Sequence, residues 1–400
     1  MRILFDLSAV QPDRGRFHGG SEYAKAILFQ LLKLKYDEKI SCFFDPNRWL
    51  DPEVKELVQE ADVPLLQVKN NKVLQMLIDS YEYDRLYSAL PYRYHTLDFS
   101  SVEFILSILG LRGLEMPTDK YELLYDSSFL NRLRYVYKNL DRGRYVERTK
   151  SHLARLLSVP AKKKSIIAIS KHTKYSLLSY FPKLQPEDIR LLYAPRTRMR
   201  LEILPNSEED ILLARLGLEP KKFYLLVSSN RWIKNAFRAV KALDTMFTDY
   251  PELDKRVLVL GFDGQPFHKL VRNKERFTFY GYVTGIELEL LYQNAYVFVY
   301  PTLNEGFGYP PLEAMKYGTP VICSAIASTV EVCGDAALYF NPFSIDEIKN
   351  RLFHMIFEPG TLELYSELGK KQSAIMAQKQ DSMLDELCQL VLFSNSTMLN

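Results

Sequence analysis

The stretch Pro301-Thr302-Leu303-Asn304-Glu305-Gly306-Phe307-Gly308-Tyr309-Pro310-Pro311-Leu312-Glu313-Ala314-Met315 joins two carboxylates, two glycines and a helix start. Before it, Ala295-Tyr296-Val297-Phe298-Val299-Tyr300 is a short apolar, β-branched and aromatic run, as expected of a buried strand. After it, Pro310 and Pro311 suit the first turn of a helix, where a missing N–H breaks no bond. Gly318 then ends that helix ahead of a second strand, Pro320-Val321-Ile322-Cys323. The pattern predicts a β-loop-α-β unit. Gly306 and Gly308 let the main chain approach a ligand, and a helix N-terminus directs N–H groups at it, which favours phosphate oxygens. Carboxylates repel phosphates, so Glu305 and Glu313 are better matched to neutral hydroxyls: Glu305 to a hexose, Glu313 to a ribose diol. A helix-dipole role for both explains neither the loop position of Glu305 nor the glycines beside it.

Glu305 and Glu313, with seven residues between them, resemble the E-x7-E motif of the family 4 retaining glycosyltransferases. The likeness extends to Gly281-Tyr282-Val283 and Glu287-Leu288-Glu289-Leu290-Leu291-Tyr292 on one side and to the segment Ser328 to Phe340 on the other. It is strong in the second half of the chain and weak in the first. The resemblance implies an α/β protein of the GT-B fold, with two Rossmann-like doubly wound domains facing across a cleft. It also implies a retaining, metal-independent hexosyltransferase, mannosyltransferase-like, that uses a GDP- or UDP-linked sugar and acts in surface polysaccharide or glycoconjugate synthesis.

Length and composition agree with that size class. At 400 residues, 47% hydrophobic and 25% charged, the chain fits two or three ordinary globular domains. A net charge of +3 gives no whole-molecule case for nucleic acid. The four cysteines, at 42, 323, 333 and 388, are scattered and form no C-x-x-C pair. No apolar run reaches the ~20 residues of a membrane span. The expected setting is cytoplasmic, with peripheral contact at the inner membrane surface left open.

Strand-like and helix-like segments alternate along the whole chain, which predicts parallel sheets with crossovers. Ile3 to Leu7 opens as a strand; Asp13 to Gly20 reads as a loop, with Ser21 capping a helix from Glu22. By the resemblance, Gly19 and Gly20 contact the donor phosphate; on their own they also suit an ordinary turn. Pro195, Pro205 and the polar run Asn206 to Asp210 separate two series of elements. The expected domains are therefore 1–200 on the acceptor side, 201–380 on the nucleotide-sugar side, and a helical tail, 381–400, that could cross back to the first.

Ser228-Ser229-Asn230-Arg231-Trp232-Ile233-Lys234-Asn235 follows the first strand of the second series, so Arg231 and Lys234 should emerge at the same sheet edge as Glu305. Fixed cations there would stabilise charge growing on a departing nucleoside diphosphate without a metal. The resemblance makes them the family's Arg/Lys pair. It assigns Glu305, Arg231 and Lys234 to catalysis, and Gly19, Gly20, Tyr282, Val283, Gly306, Phe307, Gly308 and Glu313 to the donor. No metal site or cofactor is expected, since no D-x-D follows a predicted strand. The chain departs from the family at Leu109, where many relatives carry a histidine; His95 and His18 are the nearest substitutes in sequence. That departure motivates a second expectation, a catalytically silent nucleotide-sugar-binding partner protein. No G-x-G-x-x-G opens a helix after a strand, which argues against a nicotinamide enzyme.

From Arg132 to Lys164 the chain is strongly basic, with only Asp141 and Glu147 in opposition. The 132–164 region could bind an anionic lipid surface or a phosphorylated acceptor, or be a solvated helix face. Expected partners are thus a nucleotide sugar, a saccharide or lipid-linked acceptor and a membrane surface, but no nucleic acid.

Overall fold

A computed structural model describes residues 2–11, 19–34, 39–125, 128–196, 206–262 and 266–393. The loop from Asp13, His18, Pro205 and the last residues of the tail lie outside these. The chain divides into two compact units. The first comprises residues 1–114, 144–198 and 377–400; the second comprises 115–143 and 199–376.

The first unit is built on a seven-stranded sheet of β1 (Arg2–Asp6), β2 (Lys39–Phe44), β3 (Leu65–Gln67), β4 (Arg85–Ser88), β5 (Phe99–Ile108), β6 (Ala161–Ala168) and β7 (Ile189–Leu191). Its order is β3-β2-β1-β4-β5-β6-β7, every pair parallel, so the order reverses direction between β1 and β4. β1 and β4 are buried along nearly their whole length, and the buried polar residues they carry, Asp6, Arg85 and Ser88, are all hydrogen-bonded. Side-chain caps start the crossover helices: Asp51 accepts from the Glu53 N–H, Asn70 from Val73, and Ser170 from Thr173. The helix expected from Glu22 begins instead at Gly19, which places Ser21 inside its first turn. The sequence reading also passed over β3 and the helix Asn71–Asp79.

The second unit holds a six-stranded parallel sheet of β8 (Phe223–Leu226), β9 (Arg256–Leu260), β10 (Phe277–Tyr280), β11 (Val297–Tyr300), β12 (Val321–Ser324) and β13 (Leu338–Phe340), ordered β10-β9-β8-β11-β12-β13. Here the order reverses between β8 and β11. In open α/β sheets, ligands bind outside the carboxyl ends of the strands at such a switch point. The helix Ala236–Asp249 buries Ala239, Val240, Leu243 and Met246 against this sheet.

Residues 115–143 were expected with the first domain; they group with the second unit. Polar and apolar anchors hold them there. Asp119 accepts two hydrogen bonds from Arg238, at 2.8 and 2.9 Å, and one from the Trp232 indole at 2.8 Å. Met116 packs with Ile233, Leu303 and Trp232, and the Arg238 guanidinium lies 4.5 Å from the Tyr121 ring centroid. The last helix, Thr361–Leu392, gives residues up to Met376 to the second unit and the remainder to the first. In the first unit its end is capped by buried Arg85, whose Nη1 donates to the carbonyls of Leu390 and Val391 at 3.2 and 3.0 Å.

Candidate active site in the second unit

The site grows from the two strands that flank the β8/β11 switch point. β8 runs into the loop 227–231 and a short 3-10 turn, Trp232–Lys234; β11 runs into the loop 301–308 and the helix Tyr309–Lys316. The loops are stitched together: the Leu303 N–H donates to the Ile233 carbonyl at 2.8 Å, and Asn235 Nδ2 donates to the carbonyl of Pro301 at 2.8 Å. Asn235 itself has φ +57°, a left-handed conformation that asparagine tolerates and most side chains do not. It ends the 3-10 turn and starts the next helix, fixing the backbone that carries Lys234.

Lys234 Nζ lies 2.6 Å from Glu305 Oε1 and donates to the Tyr300 hydroxyl at 2.9 Å. Tyr300 donates onward to the same Oε1 at 2.9 Å, and Thr302 Oγ1 donates to it at 2.7 Å. One carboxylate oxygen thus collects three donors, one of them charged. The ion pair is largely shielded, with side-chain exposures of 9% for Lys234 and 14% for Glu305. Removing one partner of such a pair leaves the other charge poorly solvated, so the pair holds both groups in place. Burial pushes the Tyr300 phenol well above its ordinary range, with the Glu305 charge adding to the effect, so Tyr300 remains a neutral donor.

Glu313, half-buried on the helix Tyr309–Lys316, accepts from the Tyr292 hydroxyl at 3.0 Å. Gly308 is the N-cap of that helix with φ +112°, so glycine is required there by the backbone rather than by space: a Cβ would sit 3.6 Å from Val332 Cγ2, an ordinary contact. Pro310 and Pro311 occupy the first turn as expected and remove two N–H groups, which narrows the main-chain donors at this end to the 306–309 segment and Leu312. Phe307 is buried, its ring tilted against that of Tyr309 with 5.5 Å between centroids. Gly318, at φ +71°, follows the helix end as expected.

Arg231 is half-buried at the start of the 3-10 turn, close enough to Tyr300 for its charge to act on that phenol. Tyr282 is exposed, and its hydroxyl accepts from Asn230 Nδ2 at 2.6 Å; with Val283 it forms the loop after β10, now tied to the loop after β8. The structure therefore brings Arg231, Lys234, Glu305, Gly306, Phe307, Gly308 and Tyr282 to one end of one sheet, with Glu313 on the adjoining helix. Gly19 and Gly20 open the first helix of the first unit and belong to a separate body of the protein.

Several residues that hold the site escaped the sequence reading. Tyr300 and Thr302 bracket the turn out of β11, and their positions beside Glu305 were the available signal. Glu115 and Asp119 carried none, being more than a hundred residues away; Asn304 Nδ2 donates to Glu115 at 2.7 Å. Residues 115–143 thus form a strap whose start, through Glu115 and Asp119, holds Asn304, Arg238 and Trp232. In the first unit, Leu109 follows β5, and the His95 ring lies tilted against that of His152, 3.9 Å between centroids, while His152 Nε2 lies 3.0 Å from the Tyr92 carbonyl oxygen.

The sequence profile of the family described as "Glycosyl transferases group 1" matches residues 210–372. The matched residues all lie within the second unit. The matched stretch contains every site residue named above in the second unit outside residues 115–143. A stretch of 93 residues is 41% identical to the O-antigen chain mannosyltransferase B of Escherichia coli, covering 23% of this chain and 24% of that protein. Another of 69 residues is 51% identical to the O-antigen chain mannosyltransferase RfbU of Salmonella typhimurium, covering 17% and 20%. The chain thus spans about a quarter or less of the length of these relatives. Among solved structures, WaaG, a glycosyltransferase involved in lipopolysaccharide biosynthesis, superposes with a TM-score of 0.64 at 15% identity, covering 98% of this chain and 100% of its own. Anabaena HepE in complex with UDP and glucose gives 0.63 at 16% identity, covering 98% and 99%. The fold is GT-B, and family 4 placement is consistent with all of these matches.

Proposed function

We propose that this protein is a retaining glycosyltransferase that moves a hexose, in the first instance mannose, from a GDP- or UDP-linked donor to a saccharide or lipid-linked acceptor in surface polysaccharide synthesis. The observation that carries this reading is the Lys234–Glu305 pair at the β8/β11 switch point, inside the matched stretch. In the proposed reaction Arg231 and Lys234 face the diphosphate and stabilise the charge it gains as the glycosidic C–O bond breaks, with no metal or other cofactor. Glu305 holds hydroxyls of the transferred sugar, and Glu313, oriented by Tyr292, holds the ribose. The 306–308 main chain donates to phosphate oxygens, and Tyr282 and Val283 border the base.

The mannosyl assignment is supported by the names of two relatives from different species, and the nucleotide donor by the UDP bound to HepE. Incubating the protein with GDP-mannose and UDP-hexoses, and following release of GDP or UDP with and without saccharide acceptors, tests the proposal. Release from one donor, accelerated by an acceptor, is the expected result. Leu109, unable to carry a proton at the end of β5, favours the second reading, a silent nucleotide-sugar binder. Tight donor binding without release under any condition would select it.

A further inference from the structure

The helix Phe129–Leu140 is inverted relative to an ordinary surface helix. Ser128 caps it, and Phe129, Leu130, Leu133, Val136, Tyr137 and Leu140 recur at helical spacing to form one apolar stripe. That stripe faces water, with exposures of 72, 70, 50, 48, 48 and 82%, and no residue of the helix is buried. The less exposed positions are polar or mixed: Asn131, Tyr135 and Lys138, the last paired with Glu122 at 3.1 Å. Six large apolar side chains side by side in water are costly, and a patch of this kind marks a docking surface.

The charge says what docks there. The helix contains no acidic residue, and exposed Arg132 and Arg134 flank the stripe. Twelve residues make a helix only about 18 Å long, well short of a face that could bury the roughly 800 Å² per partner of a stable protein interface. A second copy of the chain would also bring two acid-free basic helices together. A lipid bilayer requires neither extended shape complementarity nor a large area: the acyl boundary takes the apolar stripe and headgroup phosphates take the arginines. No helix among the described residues is long and apolar enough to cross a membrane, so the contact is with one surface. We propose that the helix Phe129–Leu140 docks the protein on an anionic membrane surface, lying in the headgroup plane. This inference concerns a surface rather than the site chemistry and would hold for a silent sugar-nucleotide binder as well.

The test is co-sedimentation of the full chain with phosphatidylcholine vesicles, with and without phosphatidylglycerol, alongside light scattering of the protein alone. The parent protein is expected to partition onto the phosphatidylglycerol vesicles, to release at high salt and to bind neutral vesicles weakly. The double substitution Leu130→Ser, Leu133→Ser is expected to lower the partition coefficient about tenfold or more. Arg132→Glu with Arg134→Glu should abolish the preference for anionic lipid. All four positions are exposed, so an unchanged melting temperature checks the fold. No binding by the parent, equal binding by the serine variant, or a parent dimer that the serine variant converts to monomer each overturns the proposal.

Discussion

Each unit of this protein places an acidic side chain beside the point where its strand order reverses, and the two have opposite surroundings. In the first unit Asp6, the last residue of β1, is fully buried; it accepts from the Ser8 N–H and hydroxyl at 2.8 Å each, from Ser88 at 2.6 Å and from Tyr94 at 2.8 Å. Every one of those donors is neutral, and burial pushes the Asp6 carboxyl above the ordinary range. In the second unit Glu305 is partly exposed and paired with a cation. Topology offers the same opportunity twice. Charge and access separate a carboxylate that closes a turn from one that can meet a ligand.

The sharpest way to break that contrast is Lys234→Ala, expected to depress turnover by about 10²- to 10³-fold while weakening donor binding much less, because the cation acts on charge that develops late. Steady-state release of nucleoside diphosphate and calorimetric donor titration separate the two effects. An equal loss in both would reduce Lys234 to a ground-state contact. Next is the strap. Asp119→Asn strands buried Arg238 and should cost about 3 kcal/mol in chemical denaturation.

Acid titration gives the same information without mutation. Burial acts to raise the Asp119 carboxyl, but its hydrogen bonds from Arg238 and Trp232 outweigh this and hold it below the ordinary value. The pair therefore stabilises the fold above about pH 4, and that contribution is lost as pH falls further. In Asp119→Asn, which has no carboxyl to protonate there, stability is expected to fall less steeply below about pH 4 than in the parent; the same steepness in both would show that other groups dominate.

Glu313→Ala should weaken nucleotide-sugar binding by about 1–3 kcal/mol through lost hydroxyl contacts, with the fold intact. Unaltered affinity would remove Glu313 from the donor site. The smallest effect is expected at the other switch point. Asp6→Asn keeps an amide oxygen to accept from the Ser8 N–H and turns an NH2 toward hydroxyls of Ser8, Ser88 and Tyr94 that can reverse roles, so stability should move by only about 1 kcal/mol and donor affinity not at all. A drop in affinity would show that the two carboxylates differ less than their surroundings suggest.

Much of the second unit was legible because its signals are local. The run 295–300, the glycines and the paired prolines each fix a short backbone conformation, and the structure places β11, Gly308 and the helix Tyr309–Lys316 accordingly. What stayed hidden depends on distant pairing. β3 and β13 are only three residues long and derive their stability from the strands beside them. The strap's membership of the second unit rests on Asp119 meeting Arg238, and nothing near residue 119 announces that. The basic charge from Arg132 onward was visible, but the apolar stripe of 129–140 and its outward orientation were not, since orientation is a property of packing.

The central claim is that the cation and carboxylate at the β8/β11 switch point carry donor chemistry. It is tested most directly by measuring nucleoside diphosphate release from GDP-mannose and UDP-hexoses by the parent, Lys234→Ala and Asp6→Asn proteins in parallel. The account predicts release by the parent, near-complete loss with Lys234→Ala, and parent-like rates with Asp6→Asn. Release that survives Lys234→Ala, or that Asp6→Asn abolishes in a folded protein, would contradict it.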